Sequence, residues 1–119
     1  MSTIWLAGHG LTQSEIDMDY PRPDRLVQGN PQRLTQSLYE HPHMTCGIWQ
    51  CEVGAWRIQF AENKQEFFQI IEGIVRIHTA DGSSFIEVKA GEAGIIPPAF
   101  KGTFEVVATV KKYFVVVEV

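Results

Sequence analysis

From Met44 to the C-terminus the chain consists of short apolar or alternating runs separated by Gly, Pro or charged residues. The runs are Met44–Glu52, Trp56–Phe60, Phe67–Ile71, Ile74–Thr79, Ser84–Val88, Gly94–Pro97, Thr103–Val107 and Lys112–Val119. Val, Ile, Phe, Trp and Tyr dominate them, side chains that fit a pleated and half-buried surface. Asp81-Gly82 predicts a type I′ hairpin, which needs positive φ at both central residues. Val53-Gly54, Glu72-Gly73 and Ala90-Gly91 punctuate the chain in the same way. No stretch of about twelve residues in this half carries a 3.6 period. The pattern predicts an all-β sandwich or barrel of eight short strands.

Residues 1–43 read differently. They hold four of the six prolines (Pro21, Pro23, Pro31 and Pro42) and no sustained period. Thr12 to Tyr20 suits one short helical turn with Ser14 as N-cap, and Pro21-Arg-Pro23 then favours an extended path. Ile4, Trp5, Leu6, Leu11, Leu26 and Val27 are too many apolar residues for a free tail. The expected organisation is an irregular N-terminal arm, residues 1–43, packed on the barrel domain of residues 44–119 or on a partner subunit.

Strand phase sets what faces inward. Trp56, Ile58 and Phe60 share one face, and Glu62 continues that series at the strand's end. Glu66, Phe68 and Ile70 share a phase in the next strand, while the opposite phase is also largely apolar. A strand that is apolar on both faces needs a second layer: another sheet, the arm or a second subunit. The apolar run Tyr113–Val119 would be an aggregation hazard on an open edge. A homodimer formed by sheet packing meets both demands.

Charge and cysteine usage narrow the function classes. Of 119 residues, ten are basic and fourteen acidic, for a net charge of −4, with no Lys/Arg cluster in the sequence. That balance argues against nucleic acid or an anionic membrane as partner. The N-terminus lacks the basic flank and apolar run of a secretory signal, so a cytoplasmic location is expected. Cys46 and Cys51 lie five apart in one strand-like run, on opposite faces and roughly 16 Å apart when extended. They are expected to be free thiols.

The spacing of several residues carries a family resemblance. Gly54 is followed after five residues by Phe60, then Glu62, then Glu66, and Gly73 comes six residues later. Gly91, Pro97, Ala99, Gly102 and Val106 form a second series. Both resemble the two cupin motifs, with the motif histidines replaced. Gly47-Ile-Trp49-Gln-Cys-Glu52-Val-Gly54-Ala-Trp56, Glu66-Phe-Phe-Gln-Ile-Ile-Glu72-Gly73 and the run from Gly91 to Glu105 resemble one subgroup of small cupins. It comprises domains related to ureidoglycine aminohydrolase and to the ethanolamine-utilisation cupin. The resemblance implies a double-stranded β-helix, the jelly-roll barrel. It also implies that the metal-ligand positions are Phe60, Glu62, Glu66 and Gly102.

Two carboxylates without an imidazole make a poor site for Zn²⁺, Mn²⁺ or Fe²⁺. No cofactor is expected, and at most a weakly held divalent ion. Glu66 and Glu62 are instead candidates for acid/base work, or for binding an amine or sugar hydroxyls, at the mouth of an apolar pocket. Trp49, Trp56, Phe60, Phe68 and Phe104 are its candidate walls, though Trp49, Trp56 and Phe104 suit core packing better than ligand stacking. Lys101 is a candidate contact for an anionic ligand. His41-Pro-His43 has the spacing of a metal pair but falls in the arm, and His78, beside the Asp81-Gly82 turn, is expected to face water. The reading is a small cupin binding a small polar molecule, with a hydrolase or isomerase and a structural or partner-binding domain as rivals.

Overall fold

The structure, a computed structural model, describes residues 15–119. The expectations for Ile4, Trp5, Leu6, Leu11 and the Ser14 cap fall outside them. Nine strands follow in order: β1 Asp17–Asp19, β2 Leu26–Gln28, β3 Arg33–His41, β4 Met44–Cys51, β5 Gly54–Gln59, β6 Lys64–Thr79, β7 Phe85–Lys89, β8 Ala93–Ile96 and β9 Lys101–Glu118. A single 3-10 turn, Pro23–Arg25, lies between β1 and β2. No helix among the described residues is long and apolar enough to cross a membrane.

Every pairing is antiparallel. The strands run β1-β3-β4-β9-β5-β2, and β6 joins β9 to β7 and β8. The two long strands make this possible. β9 pairs β5 through residues 101–106 and β4 through residues 110–117, while β6 lies along nearly its whole length. The sheet therefore curls on itself into the expected jelly-roll barrel.

Sequence breaks inside β6 and β9 are bends, not turns. Glu72-Gly73, read as punctuation between two strands, sits where the β6–β9 register shifts, and Gly73 has φ +93°. A Cβ there would lie 2.3 Å from the Thr109 carbonyl oxygen, so the position requires glycine. Bulges of this kind increase local twist and let one strand serve two layers. The Asp81-Gly82 turn departs from type I′ for a related reason. Gly82 has positive φ but Asp81 does not, and the Asp81 carboxylate instead accepts from Ser83 N, Ser83 Oγ and Thr79 Oγ1.

From Asp17 onward, the segment read as an arm enters the sheet. β3 pairs with β4 along its length, and Asp17–Asp19, expected in a helical turn, pairs with β3. The polar alternation of Arg33–Glu40 hid β3, since its residues are mostly half-buried rather than sealed. The C-terminal run is not an edge either: β9 lies between β4 and β6, which satisfies its backbone within one chain.

The core lies between the two curled layers and includes Phe68, Ile70, Val75, Val106 and Val110, with Trp56 and Phe104 nearly sealed beside them. Each such side chain contributes about 1.5–3 kcal/mol through burial. Cys46 and Cys51 are free thiols on β4, as their spacing required.

Candidate functional site

One cavity of about 280 Å³ opens inside the barrel. Trp56 and Ile58 from β5, Phe60 just beyond it, Trp49 from β4 and Phe104 from β9 form its apolar wall. Three of these rings interlock: Trp56 and Phe104 lie 5.4 Å apart, and Trp49 meets Phe104 edge-on at 5.7 Å. The inward phase read for Trp56, Ile58 and Phe60 is the one observed.

The polar part of the cavity is a buried ion pair. Lys112 Nζ donates to Glu66 Oε2 at 2.6 Å, with side-chain exposures of 6% and 12%. The ammonium also lies 4.5–5.0 Å from the centroids of Phe68, Trp49 and Phe104. Ring faces attract a cation most strongly where water is excluded. Lys112 thus has one carboxylate and three aromatic partners. Its strand neighbours explain the placement: Lys112 pairs across to Trp49 on β4 and to Ile70 on β6, both central positions.

Arg33 borders the cavity from β3. It makes a fork to Asp19 at 2.9 and 2.6 Å, and its guanidinium carbon lies 5.4 Å from the Trp56 ring centre. Lys64, at the start of β6, lies over Phe60 at 4.9 Å. No motif in the sequence assigns a site role to Lys112 or Arg33. A signal for Lys112 was present: Lys111 and Lys112 are adjacent in a strand, so their side chains take opposite faces.

The expected site residues separate into two groups. Glu66, Trp49, Trp56, Phe60 and Phe104 line the cavity, and Phe68 lies sealed behind Lys112. Glu62 is exposed in the turn between β5 and β6, because the chain leaves the strand after Gln59 and the alternation ends there. Lys101 is exposed on the outer surface, away from this cavity. His78 does not simply face water: its Nε2 lies 2.8 Å from Glu105 Oε1, and its ring lies against Phe85. His43 bonds the Glu118 carbonyl oxygen through Nδ1, and His41 stacks on Tyr39.

The EutQ-like cupin domain model matches residues 40–114. The chain belongs to the EutQ-like cupin family. Among solved structures, it resembles EutQ from Clostridium difficile at 24% identity and TM-score 0.66, covering 84% of this chain and 80% of that one. A putative ethanolamine utilisation protein Q from Salmonella typhimurium matches 98% of this chain and 94% of its own at 18% identity, TM-score 0.66. A protein of unknown function of the DUF861 family from Pseudomonas syringae gives TM-score 0.74 at 20% identity. The present chain covers 85% of its own length there but only 43% of that protein. At these identities the likeness concerns the fold. No curated protein sequence matches this EutQ-like cupin.

Of the four positions that the resemblance implies as metal ligands, only Glu66 brings a carboxylate to the cavity. Phe60 offers no donor, Glu62 lies outside the cavity, and Glu66 is already bound by an ammonium group. At Gly102 even a Cβ would lie 2.1 Å from the His78 carbonyl oxygen, so no ligating side chain fits there. Among the described residues, no three His, Cys, Asp or Glu side chains gather as a metal site would require. The Lys112 ammonium places a positive charge beside Glu66.

Proposed function

We propose that this EutQ-like cupin binds a small polar molecule in its barrel without a tightly held metal. The observation that carries the reading is the Lys112–Glu66 pair facing an aromatic-walled cavity. Replacing a buried ion pair with apolar residues is often neutral or stabilising, so stability alone gives little reason for one here. A volume of about 280 Å³ suits a compact ligand, since ligand pockets begin near ~300 Å³. Glu66 is placed to accept an N–H or O–H of the ligand, and Lys112, Arg33 or Lys64 to donate to its oxygen. The rings of Trp49, Trp56 and Phe104 cover its apolar body.

The reading is tested by a thermal-shift screen of small polyols, amines and carboxylates against the wild type and a Lys112→Met/Glu66→Leu double variant. A compound that stabilises only the wild type supports it, because a ligand that binds only the folded state raises its stability by mass action. A screen without any stabilising compound refutes it. The rival of an acid/base enzyme rests on Glu66 alone, since Glu62 lies outside the cavity, and turnover of a bound compound would decide for it.

Homodimerisation and a cytoplasmic location belong to the same reading. The dimer draws support from the outer face of β6 and β8, where the register partners Phe67 and Ile95 are 49% and 68% exposed. Among the described residues, Phe67 and Ile95 leave an apolar patch exposed on this face. Sedimentation showing a monomer at micromolar concentration would remove the dimer.

A further inference from the structure

A second concavity, of about 260 Å³, lies on the outer face of the barrel. It shares only Ile58 with the inner cavity, and its charged lining is entirely basic: Arg25 from the 3-10 turn, Arg57 from β5 and Lys101 from β9. Gln59 and Thr103 add neutral donors. The sheet register explains the gathering. Arg57 pairs with Thr103 and Gln59 with Lys101, so Arg57 and Lys101 are diagonal neighbours on one face, close enough to interact.

This cluster stands out in a chain whose net charge is −4. Carboxylates close by in sequence or register are each held elsewhere. Asp24 is held by Arg22, Glu105 by His78, and Asp81 by Thr79 and Ser83. No ion pair among the described residues uses Arg25, Arg57 or Lys101, and the Arg57 guanidinium donates only to the backbone carbonyl of Asp24. Three cations line one concavity without a paired counter-charge among the described residues, and their mutual repulsion is relieved by an anion between them. Two guanidinium forks and an ammonium match several charged oxygens on one centre, as a phosphoryl group presents, better than they match a single carboxylate.

We propose that Arg25, Arg57 and Lys101 form a site for a phosphate group, on the outer face and separate from the barrel cavity. The anion is either free or esterified phosphate in solution, or a phosphate headgroup at a lipid surface. The test titrates inorganic phosphate and glycerol phosphate into the full chain by NMR, alongside flotation with phosphatidic acid vesicles. Variants are Arg57→Gln and Lys101→Gln. Lys89→Gln is the control, because it removes the same charge from a surface position outside the cleft. The Lys101 side chain makes no hydrogen bond among the described residues, so its variant stays informative if Arg57→Gln disturbs the Asp24 turn.

The expected result is saturable binding that weakens about tenfold or more in each cleft variant and is unchanged in the control. Shifts with soluble phosphate identify a soluble ligand, and vesicle binding alone, lost in the same variants, identifies a headgroup. The proposal is overturned by no binding in either arm up to about 10 mM. Equal loss in Lys89→Gln, the mark of unspecific charge attraction, also overturns it.

Discussion

Lys112 and Glu66 meet at 2.6 Å in a site that hides both side chains from solvent, 46 residues apart in sequence and on neighbouring strands. A charge in such a place is tolerated only while its partner is present. Lys112→Met and Glu66→Leu are each expected to cost about 3–5 kcal/mol, because each leaves one uncompensated buried charge. The double variant should recover most of that loss and come close to the wild type. Urea denaturation of the four proteins as a double-mutant cycle measures the coupling. Additive losses would mean that the two groups do not act as a pair.

Gly102 gives the second prediction. A Cβ there meets the His78 carbonyl oxygen at 2.1 Å and the Phe100 ring at 2.8 Å. Gly102→Ala should therefore destabilise by about 1–3 kcal/mol or more through overpacking. Gly102→His should fail to restore a metal site. A thermal melt with and without Zn²⁺ checks both; a folded Gly102→His variant that gains stability with zinc would contradict the account.

The thiol of Cys51 is buried at the end of β4, and that burial pushes its pKa from 9.0 up to about 12. The neutral thiol is thus favoured in the folded chain. Its contribution to stability is complete below pH 9 and is lost as pH rises toward about 12. With a thiol reagent near pH 8, Cys46 should react in the native protein and Cys51 only after unfolding. Rapid native labelling at both positions would show that β4 opens locally.

Asp81 shifts the other way. Hydrogen bonds from Ser83 N, Thr79 Oγ1 and Ser83 Oγ hold its carboxyl at about 2, below its usual 3.8. Its support for the β6–β7 turn is present above pH 3.8 and is lost as pH falls toward about 2. Asp81→Ala should lower the melting temperature slightly at pH 7, and the difference should vanish near that lower limit. A difference that persists there would assign the effect to something other than the carboxylate.

Much of this architecture was legible in the sequence because alternation reports directly on a half-buried strand. Trp56, Ile58 and Phe60 declared the inner face of β5, and Glu66, Phe68 and Ile70 that of β6. What alternation does not report is continuity. The Gly73 bulge and the polar centre of β9 looked like breaks, although each lies inside one bent strand. β3 escaped notice because its half-buried residues are polar enough for a loop. Glu62 lies beyond the end of β5, in an exposed turn where strand phase no longer sets a direction. A lysine in an apolar strand gives no sign by itself that it faces inward; only its neighbour Lys111 shows that one of the two must.

Binding of a small polar ligand is proposed to centre on the Lys112–Glu66 pair among the cavity's rings. NMR observation of the Trp49 and Trp56 indole N–H signals, during titration with the best stabilising compound, tests it most directly. Both signals should shift saturably in the wild type, unaffected by added chelator, and neither should shift in the Lys112→Met/Glu66→Leu variant. Shifts that require Mn²⁺ or Zn²⁺, or that persist unchanged in the double variant, would contradict it.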